Sequence, residues 1–170
     1  MTALPLNQSV KLAEKIKAEL APFCERIEIA GSIRRRRPFV NDIDLVVLPF
    51  ADQVNALRAR VHERTSPVKD GPVEIVVRLI NGFQLDLWIA ERPKKDLFSE
   101  TQTNFGSILL CRTGSVQHNI YLGSVAEKLG RRWNPHHGVF ESGRCLASAT
   151  EEEIFKALGL EFVPPEDRER

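Results

Sequence analysis

The chain has 170 residues, enough for one compact unit or two small lobes, and 42% of them are hydrophobic, as in a folded domain. The net charge of +1 does not by itself indicate a nucleic-acid partner, and the three scattered cysteines lack the spacing of a zinc or redox motif. Because the chain has neither an apolar run of about 20 residues nor a signal-peptide pattern at its start, we expect a cytoplasmic protein without membrane contacts.

The first predicted elements are a helix and two strands. Ser9 is a candidate N-cap for a helix that ends near Pro22, since four apolar residues follow at helical spacing: Leu12, Ala13, Ile16 and Leu20. A short strand over 26–30 then leads into Gly31 and Ser32. After an arginine run, residues 42–49 (DIDLVVLP) have the apolar character of a buried strand.

A hairpin is predicted next. After a helix that begins at Asp52, two strand-like runs cover 73–80 and 83–89, and Asn81-Gly82 joins them. This dipeptide is typical of a type I′ turn, which needs positive φ at both central positions. The composition changes at 91–95 (ERPKK), where we place a boundary between two lobes.

The C-terminal lobe is predicted to be smaller and more helical. Ser115 is a candidate N-cap for a helix over 116–129, and Thr150 with Glu153 forms a capping box for a last helix that stops at Gly159. Residues 112–144 carry a charge of +3, whereas the tail from 145 to 170 carries −4. This asymmetry is a weak indication of a polyanionic partner.

Three acids on apolar strands form the principal candidate site. Asp42 and Asp44 are two residues apart, so their side chains lie on one face of the strand. Asp86 lies in a second apolar strand, and all three carboxylates converge if the two strands are neighbours. Adjacent buried carboxylates are costly unless positive charge compensates, and Mg²⁺ prefers such oxygen ligands. We interpret the trio as a metal site; the alternative is that Asp42 caps a turn or pairs with an arginine.

A possible phosphate-binding segment precedes this strand. Gly31 would allow the backbone to approach a phosphate closely, and Ser32 could donate hydrogen bonds to its oxygens. Arg34 and Arg35 would bring positive charge to a triphosphate. The combination of Gly-Ser, basic residues and Asp-x-Asp on the next strand is more specific than any of its parts.

These motifs resemble a known superfamily. GSIRRRRPFVNDID followed by an isolated strand aspartate is similar to the beta-type nucleotidyltransferases. Thr113-Gly114-Ser115, Asn119 four residues after the serine, and the ending TEEEIFKALGLEFVPPEDRE narrow the resemblance to the family X DNA polymerases. The resemblance implies an α+β fold, with a nucleotidyltransferase palm (a mixed sheet with flanking helices) over 1–92 and a small C-terminal thumb over 93–170.

The resemblance also implies metal and phosphate ligands. Asp42 and Asp44 would bind two Mg²⁺ ions, for which Mn²⁺ could substitute, and Asp86 would bind the catalytic ion and help to deprotonate a primer 3′-hydroxyl. Ser32 and Arg35 would hold the β- and γ-phosphates. The backbone at Asn41 would assist them.

Further roles fall in the C-terminal lobe. Gly114 would let the backbone approach the nucleotide sugar, and Asn119 would contact the base edge. Where the family usually has an aromatic pair, this chain has Cys111 and Arg112, so we expect weaker exclusion of ribonucleotides.

The implied function is DNA-directed DNA synthesis, in which a nucleotide is transferred from a dNTP to the primer end of gapped or primed DNA, as in short-gap repair, by a monomer. Arg112, Arg131 and Arg132 are candidate DNA contacts, although Arg131 and Arg132 could equally form a solvated helix end. The alternatives are a nucleotidyltransferase that acts on RNA, a protein or a small molecule, and a non-catalytic DNA-binding module.

Overall fold

The computed structural model describes residues 3–63, 65–95 and 100–169. The chain divides into two compact units, Met1–Ala90 and Glu91–Arg170. Within the described ranges, no helix is both long enough and apolar enough to cross a membrane.

The first unit combines three helices with seven strands. In chain order they are β1 Leu4–Pro5, α1 Leu6–Leu20, β2 Cys24–Ile29, α2 Gly31–Arg34, β3 Phe39–Val40, β4 Asp42–Pro49, α3 Val54–His62, β5 Thr65–Asp70, β6 Glu74–Leu79 and β7 Gln84–Ile89. A short 3₁₀ turn, Ala21–Phe23, follows α1. The mixed sheet with flanking helices confirms the predicted fold class of this unit.

Five strands form the main sheet, in the order β2-β4-β7-β6-β5. The pairing of β4 with β7 is parallel, whereas every other pairing in this sheet is antiparallel. Alternate residues of the central strands, including Ile43, Leu45 and Leu87, are fully buried in one hydrophobic core together with Ala13 of α1 and Leu57 of α3. Because side chains alternate along a strand, the intervening residues of β4 and β7 lie on the opposite face.

Two local predictions need correction. Strands β6 and β7 do form a hairpin, but the turn is not type I′, because only Gly82 has positive φ (82°). The amide of Gly82 donates to the Leu79 carbonyl and the amide of Leu79 to the Phe83 carbonyl, both at 2.8 Å. Such a three-residue loop with glycine in the left-handed region avoids positive φ at Asn81. Ser9 is not an N-cap: α1 already begins at Leu6, and the Ser9 hydroxyl donates to the Pro5 carbonyl.

In the described residues of the second unit, three helices accompany two small sheets. Its elements are β8 Lys94–Lys95, β9 Glu100–Thr101, α4 Phe105–Thr113, α5 Val116–Lys128, β10 Arg132–Asn134, β11 Gly138–Glu141, β12 Arg144–Ala147 and α6 Glu151–Ala157. The antiparallel sheet β10-β11-β12 was not predicted from the sequence. Its buried residues Trp133, Val139 and Ala147 pack against α4, α5 and α6 in a second hydrophobic core.

The predicted caps in this unit are confirmed. The Ser115 hydroxyl accepts a hydrogen bond from the amide of His118 at the start of α5. The Thr150 hydroxyl accepts one from the amide of Glu153 at the start of α6. Each bond satisfies an amide that has no partner within its own helix.

Candidate active site

The central strands bring the predicted aspartates to one place. In the parallel pairing of β4 with β7, Asp44 lies opposite Asp86 and Asp42 lies opposite Gln84. All four residues belong to the sheet face that is turned away from the apolar core, and all four are partly exposed. The two strands are therefore neighbours, as the convergence of the aspartates requires, and the sheet register places Asp44 beside Asp86, with Asp42 two residues away on the same face.

Gly31 lies directly against the carboxylate of Asp44. Its φ is +61°, and a Cβ at this position would lie 2.0 Å from Oδ2 of Asp44. The backbone amide of Ala30 also donates to the Asp44 carbonyl, at 2.9 Å. Whereas the sequence suggested that this glycine admits a phosphate, the structure shows the Asp44 carboxylate in the space that a larger side chain would need.

Burial and charge act in opposite directions on Asp42. Burial raises the pKa of its carboxyl above the usual value. A hydrogen bond from the backbone of the same residue and the positive charge of Arg35 offset part of that increase. Arg35 directly follows α2 and therefore places a cation beside the carboxylates.

Ser32 presents a polar atom without an internal partner. Its hydroxyl oxygen is buried and has no hydrogen-bond partner among the described residues. A buried hydroxyl that lacks a partner is costly, and a ligand oxygen would satisfy it. Asn41, by contrast, is exposed immediately before β4.

Gln84 belongs to the same face and was not singled out from the sequence. Its Nε2 donates to Oδ1 of Asp86 at 2.8 Å. The only available signal was its position two residues before Asp86 on one strand, which places both side chains on the same face. Gln84 therefore orients the Asp86 carboxylate.

The donor set of this face suits a hard divalent cation. Asp42, Asp44 and Asp86 offer carboxylate oxygens, the ligands that Mg²⁺ and Mn²⁺ prefer. Within the described part of the chain, no three His, Cys, Asp or Glu side chains are gathered closely enough to hold a metal ion by themselves. Mg²⁺ is commonly bound by one or two carboxylates together with substrate phosphates and water, so the phosphates of a nucleotide would have to complete such a site.

A second cluster of predicted residues lies within the second unit. Gly114 ends α4 with a φ of +72° and is followed by Ser115, whose hydroxyl donates to the Arg168 carbonyl at 2.7 Å. Asn119 Nδ2 donates to the Cys111 carbonyl at 2.9 Å. The Asn119 Oδ1 is buried and has no hydrogen-bond partner among the described residues, so it can accept from a ligand.

The three arginines predicted to contact DNA differ in their surroundings. Arg112 is partly buried, with Nη2 3.4 Å from Nε2 of His136. Arg131 forms an ion pair with Glu141 at 2.9 Å and donates to the Ala157 carbonyl. Arg132 is exposed at the start of β10. Of the three, Arg132 is the one whose side chain is most available to solvent.

Comparisons with known proteins find similarity to DNA polymerases. The family model "DNA polymerase beta thumb" matches residues 108–169. The chain is 28% identical over 172 residues to the DNA polymerase/3'-5' exonuclease PolX of Bacillus subtilis (strain 168), which covers 97% of the chain. It is 37% identical over 75 residues to the DNA-directed DNA/RNA polymerase mu of Homo sapiens, which covers 43% of the chain. These similarities support a relation of the chain to the family X DNA polymerases.

Solved structures show the same fold. Leishmania infantum polymerase beta, in a ternary gap complex, superimposes with a TM-score of 0.74 at 16% identity, over 99% of this chain and 71% of that one. The chain spans only 28% of the length of PolX and 15% of that of polymerase mu. The similarity to PolX thus covers nearly all of this chain but only a part of that relative.

Two buried charges in the part that matches the family X thumb were also missed from the sequence. Arg168 is fully buried, and its Nη1 lies 2.7 Å from Oε1 of Glu151. Arg168 lies in the acidic tail from 145 to 170, and charged residues in such a tail are normally exposed. Its burial depends on contacts with residues that are distant in the sequence, such as Glu151, and the sequence does not show these contacts.

Proposed function

We propose that the chain is a DNA-directed DNA polymerase that transfers a nucleotide from a dNTP to a primer 3′-hydroxyl. The observation that carries the proposal is the parallel register of β4 with β7, which sets Asp44 beside Asp86 with Asp42 on the same face. The match to the polymerase beta thumb supports DNA as the substrate, rather than RNA, a protein or a small molecule.

The chemistry follows from these residues. The primer 3′-oxygen attacks the α-phosphorus of the dNTP, the bond to the β-phosphate oxygen breaks, and pyrophosphate leaves. Asp86 accepts the proton of the 3′-hydroxyl, and the amide of Gln84 holds its carboxylate in position. Asp42, Asp44 and Asp86 would hold two Mg²⁺ ions, which supply charge neutralisation for the attacking and leaving oxygens.

Binding of the triphosphate is assigned to the turn around α2. Arg35 supplies charge, the Ser32 hydroxyl donates to a phosphate oxygen, and the backbone of Asn41 assists. In the second unit, Gly114 and Asn119 contact the sugar and the base of the nucleotide. This assignment is supported by the acceptor Oδ1 of Asn119, which lacks an internal partner.

The physiological setting is part of the same proposal. We infer a cytoplasmic monomer that fills short gaps during DNA repair. Gap filling is supported by a structural neighbour, Leishmania infantum polymerase beta, which was solved in a ternary gap complex, whereas the location and the monomeric state stay predictions from the sequence.

Primer extension tests the proposal directly. The purified chain is given a labelled primer on gapped DNA, with dNTPs and NTPs supplied separately, in Mg²⁺ and in EDTA. We expect template-directed extension that stops in EDTA and returns with Mg²⁺ or Mn²⁺. Full turnover in chelator would contradict the metal assignment, and transfer to RNA alone would favour the alternative substrate class.

A further inference from the structure

The three-stranded sheet of the second unit has two different faces. Trp133, Val139 and Ala147 are paired across its strands and buried in the core. Because side chains alternate along a strand, Arg132 and Phe140, which adjoin Trp133 and Val139, point away from that core, and a register shift against β12 brings the exposed Cys145 opposite Phe140. These residues form a row across the sheet, in which Arg132 is paired with Phe140 and Phe140 with Cys145.

This row borders a cavity that is separate from the aspartate cluster of the first unit. The cavity has a volume of about 440 Å³ and is lined by residues that include Arg132, Asn134, His137 and Phe140, and by the hairpin at Ser142 and Gly143. This volume falls within the roughly 300–1,000 Å³ of small-molecule sites. We call the surface formed by Arg132, Asn134, His137, Phe140 and Cys145 the open face.

The side chains of the open face are of the types that bind a nucleotide. Phe140 is partly exposed, and its ring offers an apolar plane. The exposed Arg132 lies on the neighbouring strand, directly opposite that ring. Aromatic rings on sheets bind unpaired bases by stacking, and adjacent cations bind the phosphates between them.

The charges around the cavity favour an anionic occupant. Arg131 also lines the cavity, and its charge is opposed by Glu141, to which it is paired at 2.9 Å. Arg132 therefore adds a positive charge that Glu141 does not offset, and His137 adds a polar edge that can hydrogen-bond to a base. The cavity and the exposed side chains belong to one unit, so the site is complete within it.

We propose that the open face binds a single-stranded stretch of the DNA substrate, with one unpaired base stacked on Phe140 and its phosphate held by Arg132. The choice of DNA rests on the proposed function, whereas the stacking and the charge do not.

Cys145 provides a local probe of this surface. It is exposed and is the cross-strand partner of Phe140, whereas Cys24 is buried. Alkylation of Cys145 is measured by mass spectrometry with and without a short oligothymidylate. We expect the oligonucleotide to slow alkylation several-fold in the wild-type chain. An unchanged rate at saturating oligonucleotide would overturn the proposal.

Two substitutions at Phe140 separate stacking from a general loss of structure. Phe140→Leu keeps the apolar character but removes the aromatic face, and we expect about 5- to 150-fold weaker oligonucleotide binding. Phe140→Trp keeps a stacking surface and should bind at least as well as the wild type. Binding that survives in Phe140→Leu, or protection by dTMP equal to that by the oligonucleotide, would show that no strand is stacked there.

Arg132→Ala tests the phosphate contact, with Arg144→Ala as its matched control. Both arginines are exposed on this sheet, but Arg144 does not line the cavity. We expect Arg132→Ala to reduce the salt slope of oligonucleotide binding by about 0.7 and Arg144→Ala to leave it unchanged. Equal effects of the two variants would contradict a specific site. Protection of Cys145 without primer extension would overturn the catalytic proposal alone, and extension without protection would overturn only this one.

Discussion

The two units of this chain treat buried charge in opposite ways. In the second unit, the carboxylate of Glu151 and the guanidinium of Arg168 are both buried and lie 2.7 Å apart. Arg168 also donates to the Val163 carbonyl and lies 5.4 Å from the ring centroids of both Phe155 and Phe162. Here the fold itself supplies the opposite charge.

In the first unit, like charges are placed together. Asp44 and Asp86 occupy opposite register positions on adjacent strands, and burial raises the pKa of the nearby Asp42. Apolar residues at these positions would stabilise the folded chain more than acids do, and apolar residues do occupy the other face of the same strands. The comparison shows that a fully buried one-to-one ion pair serves the structure, whereas several acids gathered on one partly exposed sheet face form a candidate ligand site.

The largest expected effect tests whether the aspartates of the first unit serve a ligand. Asp44→Asn keeps the shape of the side chain but removes its charge, so we expect nucleotide transfer to fall by about a thousandfold or more, equivalent to about 4 kcal/mol of transition-state stabilisation. The free energy of unfolding without metal should not fall. Asp52→Asn, an exposed aspartate outside the site, is the matched control. Transfer at the wild-type rate by Asp44→Asn would remove this residue from the mechanism.

The next largest effect tests whether the Glu151–Arg168 pair stabilises the fold. Arg168→Ala leaves Glu151 buried without its counter-ion, and we expect the free energy of unfolding to fall by about 3–5 kcal/mol in urea denaturation. The double variant Glu151→Leu/Arg168→Met should recover most of this loss, since apolar residues of similar size often replace a buried ion pair without penalty. If the double variant were no more stable than Arg168→Ala, the Glu151–Arg168 pair would contribute more to stability than the mutual neutralisation of its two buried charges.

Arg35 has features of both a structural counter-ion and a ligand-binding residue, because it is a cation beside the Asp42 carboxylate and is also assigned to the proposed triphosphate. We expect Arg35→Ala to weaken dNTP binding about ten- to a hundredfold, the loss of one charge-assisted hydrogen bond. Arg36→Ala, an exposed neighbour, serves as the control. A lower free energy of unfolding with unchanged dNTP affinity would instead identify Arg35 as a structural partner of Asp42.

The smallest effect is a pH dependence of stability. The pKa of Asp42 is raised in the folded chain, so this residue favours folding when protonated, and that contribution is lost as the pH rises through the raised pKa. In metal-free buffer we therefore expect Asp42→Asn to be more stable than the wild type at neutral pH. The difference should vanish below a pH of about 3.9, where the carboxyl is protonated in both states. Equal stability curves for the two proteins would show that burial of Asp42 carries no cost.

The sequence predicted the parts of the molecule that depend on local pattern. The run DIDLVVLP forms a strand with the predicted bounds, and Thr150 caps α6 as expected, because apolar content and capping chemistry act over a few residues. The convergence of Asp42, Asp44 and Asp86 followed from strand alternation once β4 and β7 were assumed to be neighbours. The adjacency itself stayed a condition until the structure showed it, because neither strand's sequence specifies its pairing partner.

The features that the sequence did not predict depend on distant contacts. Strands β10 to β12 are only three or four residues long, too short to show a clear alternation of apolar and polar residues. Arg168 is buried because residues 17 positions away and an aromatic pair enclose it. Gln84 gained a role only when the structure showed its hydrogen bond to Asp86.

The position of β7 has a consequence for how the chain is made. It is the last strand of the five to leave the ribosome, yet it is inserted between β4 and β6. A nascent chain that has reached Gly82 therefore carries two strands, β4 and β6, each with an unpaired edge, and such edges invite pairing with other chains. Strand β7 also carries Asp86. The step that pairs the exposed edges of β4 and β6, and so protects the sheet from aggregation, therefore also adds the third carboxylate to the site.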